Sequence, residues 1–173
     1  IVSSDSMERT LFKASNSSLS IVRKAEQSTF ELNKFDELKR IKEISNIVPE
    51  YEGIASLEGS NVVSGKQTVR RDDVSGDLSN AAAVRATGST KRELLFSSGV
   101  FTLEKGRHIS SKDKGKVLVH KKFADRNKLK LHDKVKLKFL KTDGSTSSSG
   151  ETQTLEIVGI FSGKMQEQHT GLP

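Results

Sequence analysis

Three observations predict an α+β fold with short helices. Apolar residues alternate with polar ones in several short stretches, most clearly where Val135, Leu137 and Phe139 interleave with Lys134, Lys136 and Lys138. Helical spacing is sustained only in Phe35, Leu38, Ile41 and Ile44. Polar, Gly/Ser-rich connections separate these pieces. The length of 173 residues suits one domain or two small lobes. Leu, Ile, Val and Phe number 46, low for a globular chain but enough for a core. With only 5% aromatic residues that core must be aliphatic. The absence of cysteine excludes a disulfide scaffold, a thiolate nucleophile and Cys-based metal sites. Apolar runs of only a few residues exclude a bilayer-spanning helix. The start lacks a secretory leader and a Met, which fits a piece of a longer chain.

In chain order, Met7, Leu11 and Ala14 suit a helical arm over 1–16, and Leu19 and Ile21 suit a short strand. Asn33 with Asp36 resembles an N-cap box opening a helix at about 34–45, stopped before Pro49. A second strand over 47–57 completes a β-α-β unit at 17–58. Residues 58–80 read as a long loop or exposed hairpin around Val62, Val63 and Val69. Residues 81–86 suit a strand. Thr90 is expected to cap a short helix through Glu93, Leu94, Leu95 and Phe96, ending at Gly99. Residues 101–103 precede a turn at Lys105-Gly106-Arg107, where Gly106 permits positive φ. A short buried strand at 117–119, a basic helix at 121–128 and the strand at 134–139 follow. The Ser/Gly-rich 142–152 is expected to be a mobile hairpin loop, with 143–150 at its tip, and Leu155, Ile157, Ile160 and Phe161 its returning strand.

Charge is concentrated. Residues 105–141 carry 14 Lys/Arg against Asp113, Asp125 and Asp133, whereas the rest of the chain is net acidic. Such a patch attracts nucleic acid, anionic lipid or an acidic partner. The period-2 lysines of 134–138, however, read first as a solvated strand face. Stacking rings and base-reading arginines are sparse, so specific nucleic-acid recognition is not expected.

No catalytic constellation emerges. The stretch from Gly59 to Gln67 departs twice from a phosphate loop: five residues separate its glycines, and Gln67 follows Lys66. His108, His120, His132 and His169 are scattered, without metal-ligand spacing. Asp72 and Asp73 sit together in the polar loop, where solvation leaves their acidity ordinary.

The linear arrangement is more informative. It runs Val84-Arg85-Ala86-Thr87-Gly88-Ser89, Phe96-Ser97-Ser98-Gly99, Leu103-Glu104-Lys105-Gly106-Arg107 and Asp113-Lys114-Gly115-Lys116-Val117-Leu118-Val119. Phe123-Ala124, Leu131-His132-Asp133-Lys134-Val135 and Ile157-Val158-Gly159-Ile160-Phe161 complete it. It resembles the extracytoplasmic core domain of MacB-type, FtsX-like ABC transporter permeases over about 150 residues. The resemblance implies a porter-like β-α-β half at 17–58 and an inserted Sabre-like α/β lobe at 59–163. It also implies a helical arm at 1–16 leading from a transmembrane segment, and a connector at 164–173 towards a second porter half. Gly106, Arg107, Asp113 and Gly159 are its structural motif, with Arg107 expected to donate to carbonyls or to Asp113. His132 departs from the family, which commonly has Gly there, and the chain stops at Pro173 where the family continues.

What the resemblance implies functionally is a non-catalytic extracytoplasmic domain at the plasma membrane, without cofactor or metal. Such a domain couples ATP hydrolysis by a cytoplasmic partner to export of peptides, antimicrobials or other amphiphiles. Its implied partners are the permease helices of the same full-length chain, the ATPase, and an adaptor or cell-wall protein. It would be dimeric in the intact transporter and monomeric alone. Lys121, Lys122 and Arg126 on the basic helix, with Asp72 and Asp73, are the candidate partner-binding residues. The alternative is a stand-alone module whose basic lobe, 105–141, recognises an anionic polymer or membrane surface.

Overall fold

The computed structural model describes residues 48–63, 80–140 and 151–164, together with Lys39, Arg40 and Lys42. The chain divides into two units, 1–47 and 48–173, and every strand and helix described here lies in the second. The arm at 1–16 and the strand around Leu19 lie outside the described residues. So do the apolar stripe of 34–45, the Asp72-Asp73 loop, the hairpin tip at 143–150, and 165–173 of the connector.

The organising element is β6 (Gln153–Gly163), an 11-residue strand bordered along both edges. Its start pairs antiparallel with β5 (Lys134–Leu140), from Lys134 opposite Glu156 to Leu137 opposite Gln153. Its end pairs antiparallel with β3 (Phe101–Gly106), from Phe101 opposite Gly163 to Gly106 opposite Gly159. β4 (Lys116–His120) runs parallel to β6, with Lys116 opposite Glu156 and His120 opposite Phe161. Glu156 therefore lies between β4 and β5, and Ile160 between β4 and β3, so β5 and β3 follow one another along a single edge of β6. The turn before β5 bridges the gap between them. Ile157 donates its N–H to the Asp133 carbonyl, and His132 and Arg107 donate theirs to the carbonyls of Ile157 and Val158.

β5 continues the sheet to β1 (Glu50–Glu58), which pairs antiparallel with β2 (Ala81–Thr87). Among the described residues the result is an α+β arrangement of six strands, antiparallel except for β4 with β6, and two short helices. β1, expected to close the 17–58 half, is thus hydrogen-bonded into the same sheet as the strands that follow it. A strand's alternation reports its own two faces but not its neighbours, so 47–57 was readable as a strand and its sheet was not.

The helices differ from expectation at their ends. α1 (Leu94–Ser97) is capped by Glu93, whose carboxylate accepts from the N–H groups of Leu95 and Phe96. Thr90 does not cap it. Its hydroxyl accepts instead from the Ile109 N–H at 2.9 Å and lies 2.9 Å from Nδ1 of His108. α2 (Lys121–Arg126) is capped by His120, whose side chain accepts from the Lys122 N–H. β3 runs on through Lys105, so the expected turn starts only at Gly106, at φ +79°.

The core lies between α2 and β4, β5 and β6. Val119, Ala124, Val135, Ile157 and Ile160 are buried there, with Phe123, Leu129, Leu131 and Leu155 packed around them. This is the aliphatic core that the composition demanded. The rings collect in a second cluster at the far end of β6, where Phe96 lies 5.6 Å from Phe101 and 5.3 Å from Phe161.

Candidate functional site

α2 presents the basic candidates because its apolar residues occupy one side. Ala124 is buried and Phe123 half-buried, which leaves Lys121, Lys122, Asp125 and Arg126 exposed. Among the described residues no carboxylate pairs with Lys121, Lys122 or Arg126. The helix is held at both ends. The His120 ring caps it through Nδ1 and places Nε2 3.0 Å from the Gly163 carbonyl oxygen. At the other end Asn127 donates to the carbonyls of Phe123 and Asn61 and accepts from the Asn61 N–H.

That last contact ties α2 to the segment after β1, which leads towards Asp72 and Asp73. Asn80, where the described chain resumes, donates to the carbonyls of Leu57 and Ser60 and accepts from the Val62 N–H. Two asparagine side chains thus hold residues 57–62. The sequence reading missed both, because an Asn in a polar stretch is ordinary and its partners in 57–62 lie 18 to 66 residues away. Asp72 and Asp73 themselves lie outside the described residues.

The lysines of β5 form a different surface. Lys134 and Lys136 are exposed and Lys138 is half-buried, on the face opposite the buried Val135 and Leu137. Their cross-strand neighbours include acids, Glu58 opposite Lys136 and Glu156 opposite Lys134. Opposite charges so placed are mildly stabilising and offset part of the positive field. The stripe is therefore a solvated strand face with acids among its neighbours, whereas α2 carries three exposed cations against Asp125. Binding of the chain to duplex DNA should accordingly be weak and should largely disappear by roughly 0.2–0.3 M salt, as counterion release requires. A salt titration by fluorescence anisotropy checks this; sequence-selective binding persisting at that salt would contradict it.

The residues of the structural motif meet where β3, β4 and β6 converge. Arg107 makes a bidentate contact with Asp113, both bonds at 2.8 Å, and also donates to the His108 carbonyl. Asp113 accepts in addition from the N–H and hydroxyl of Ser110. Gly106 lies against the Val158 backbone, and Gly159 against the Arg107 carbonyl and the side chains of Leu118 and Leu103. Next to them Glu156 accepts from Lys116 at 2.6 Å and lies 3.0 Å from Nδ1 of His132. His132 adopts φ +73°, so the turn takes a glycine-type conformation with a side chain that reaches Glu156.

These contacts favour the fold at higher pH, while Glu50, whose carboxyl is raised chiefly by burial, acts in the opposite sense. Hydrogen bonds from Arg107, then from the Ser110 N–H, hold the Asp113 carboxyl well below its ordinary value. Those from Lys116 and His132 lower Glu156 to about 2. Burial, then the charge of Lys91, lowers His108. On acidification the unfolded chain takes up protons before the folded one at all three groups, so stability falls with pH. The loss begins near the ordinary His value of 6.5 and deepens as pH drops from 4.5 towards 2. Thermal melts between pH 7 and 2.5 test this, and Asp113→Asn should flatten the acid part of the curve. An unchanged slope in that variant would show that the Arg107 pair is not linked to folding.

Among the described residues no cluster of His, Cys, Asp and Glu has metal-binding geometry, and no helix is long and apolar enough to cross a membrane. The chain matches no protein-family model and no curated protein. Among the described residues, the surface features that stand out are the exposed cations of α2 and the end of the sheet beside it.

Proposed function

We propose that the chain is the extracytoplasmic domain of a MacB-type, FtsX-like ABC transporter permease, with porter-like and Sabre-like lobes. Its role is mechanical: it transmits the power stroke of a cytoplasmic ATPase to export of peptides, antimicrobials or other amphiphiles, and docks an adaptor or cell-wall protein. The observation that carries the reading is the convergence of the ordered motif. Gly106, Arg107, Asp113 and Gly159, spread over 54 sequence positions, share one junction of β3, β4 and β6. A motif preserved in order and assembled in space supports a common scaffold more strongly than its short pieces do separately.

α2 supplies the docking surface in this reading. Exposed cations at a rim chiefly set encounter rate and choice of partner. Lys121→Glu with Lys122→Glu should change stability by under about 0.5 kcal/mol, since both side chains are exposed and neither pairs with a carboxylate among the described residues. In a transporter carrying this chain the double variant should lose export and adaptor capture while ATP hydrolysis persists. Parallel transport and ATPase assays on one reconstituted sample check it. Loss of both activities with the domain still folded would indicate a broken motor, and retention of both would remove α2 from the interface.

A further inference from the structure

We propose that the turn carrying Leu94 and Val100, at the end of the sheet where β3 begins and β6 finishes, is an apolar tip with a basic rim that seats on an anionic bilayer surface. This does not depend on the transport reading. Leu94 is 65% exposed and Val100 38%, and with Tyr51 they are the large hydrophobic residues left open among the described residues. Leu94 is held in that position by its neighbours. On the same four-residue helix Leu95 and Phe96 are half-buried, and the Phe96 ring packs edge-on against Phe101, Phe161 and His108. The platform beneath the leucine is therefore ordered aromatic packing.

Charge around the tip is mainly basic, although Glu104 on β3, which accepts from the Ser162 hydroxyl, is exposed. Lys91 and Arg92 are exposed immediately before α1. Lys164, also exposed, follows Gly163, which pairs with Phe101 beside Val100. Lys121 and Lys122 start α2 directly after His120, whose ring lies 5.3 Å from Phe161. The only acid between residues 88 and 103 is Glu93, and it points inward. It is 4% exposed, bound to Arg85 at 2.8 Å and to the N–H groups of α1. Nothing acidic in the turn opposes a negative surface.

The size of the apolar part selects the occupant. A stable protein interface buries about 800 Å² on each partner, far more than two side chains provide. A bilayer boundary needs less, because apolar residues enter the acyl edge while lysine and arginine stay among the headgroups. Juxtamembrane cations add attraction to anionic lipid within a Debye length.

The test uses the 173-residue chain with phosphatidylcholine vesicles, with and without phosphatidylserine. It should cosediment with the anionic vesicles and not the neutral ones. Leu94→Ser should weaken that binding by about tenfold or more, the effect of losing one buried leucine, while leaving heparin binding unchanged. The chain has no Trp, so Leu94→Trp introduces a single reporter whose emission should shift to the blue on anionic vesicles alone. Val100→Ser repeats the test at the second apolar position. Vesicle binding unaffected by either serine variant, with melting temperatures unchanged, overturns the proposal, as does absence of binding by the parent chain. Concentration-dependent self-association abolished by Leu94→Ser would also overturn it, assigning the tip to a second copy.

Discussion

Gly106→Ala should be the most damaging single substitution among the described residues, costing more than about 4 kcal/mol or preventing folding of the unit 48–173. Two effects combine. Gly106 sits at φ +79°, a conformation that costs an L-residue about 1–2 kcal/mol. An added Cβ would also lie 2.1 Å from the Val158 carbonyl oxygen and 2.9 Å from Leu131 Cδ2. The leucine methyl can swing away, but the carbonyl cannot, since it belongs to β6 and accepts the Arg107 N–H at 2.9 Å. Relief would require separating β3 from β6 at the point where the Arg107–Asp113 loop starts. A drop in melting temperature of at least about 12 °C is expected for a unit of this size. A drop of only a few degrees would mean that the junction is less tightly closed than its geometry indicates.

The second large effect is Ile157→Ala, expected to cost about 2–5 kcal/mol, with Ile157→Val near 0.5–1.5. Ile157 has no exposed surface and lies at the middle of β6, among Val119, Ala124, Val135 and Ile160. The backbone on both sides of it is fixed. Its N–H bonds the Asp133 carbonyl and its own carbonyl accepts from His132, both at 2.8 Å. The surrounding chain is thus poorly able to collapse into the void, which places the alanine variant towards the upper part of the range. Urea denaturation with an unchanged m-value measures it. A loss below 1 kcal/mol for alanine would show that the core is centred elsewhere.

Both residues show how far the sequence could be read. Gly106 was recognisable as a turn glycine, yet the turn begins one residue later than expected because β3 continues through Lys105. Ile157 was recognisable as an inward strand residue. That it is bonded on both edges was not, because Val117 of β4 and Asp133 in the turn before β5 reach it from 40 and 24 positions away. Thr90 is the clearest misreading. Its type and position suit an N-cap, but capping is decided by which partner a hydroxyl meets, and here Ile109 and His108 occupy it while Glu93 takes the cap. The candidate site divides in the same way. The exposure of Lys121, Lys122 and Arg126 followed from Phe123 and Ala124 turning inward. Which of Leu94, Leu95 and Phe96 would face water did not, since a single helical turn has no periodicity to orient it.

The amino-acid sequence by itself determined the α+β class, the aliphatic character of the core and most of the strands. It also determined that the basic residues concentrate between 105 and 141. These are consequences of composition and of alternation over a few neighbouring residues, where sterics and burial act locally. Tertiary structure alone decided the strand order around β6, the bonding of Glu156 to Lys116 and His132, the asparagine contacts beside α2, and the outward turn of Leu94. Each of these depends on partners brought together from distant parts of the chain, and hydrogen bonds and ion pairs act only over a few ångströms. Until the sheet sets those distances, no local pattern distinguishes a buried leucine from one left facing water.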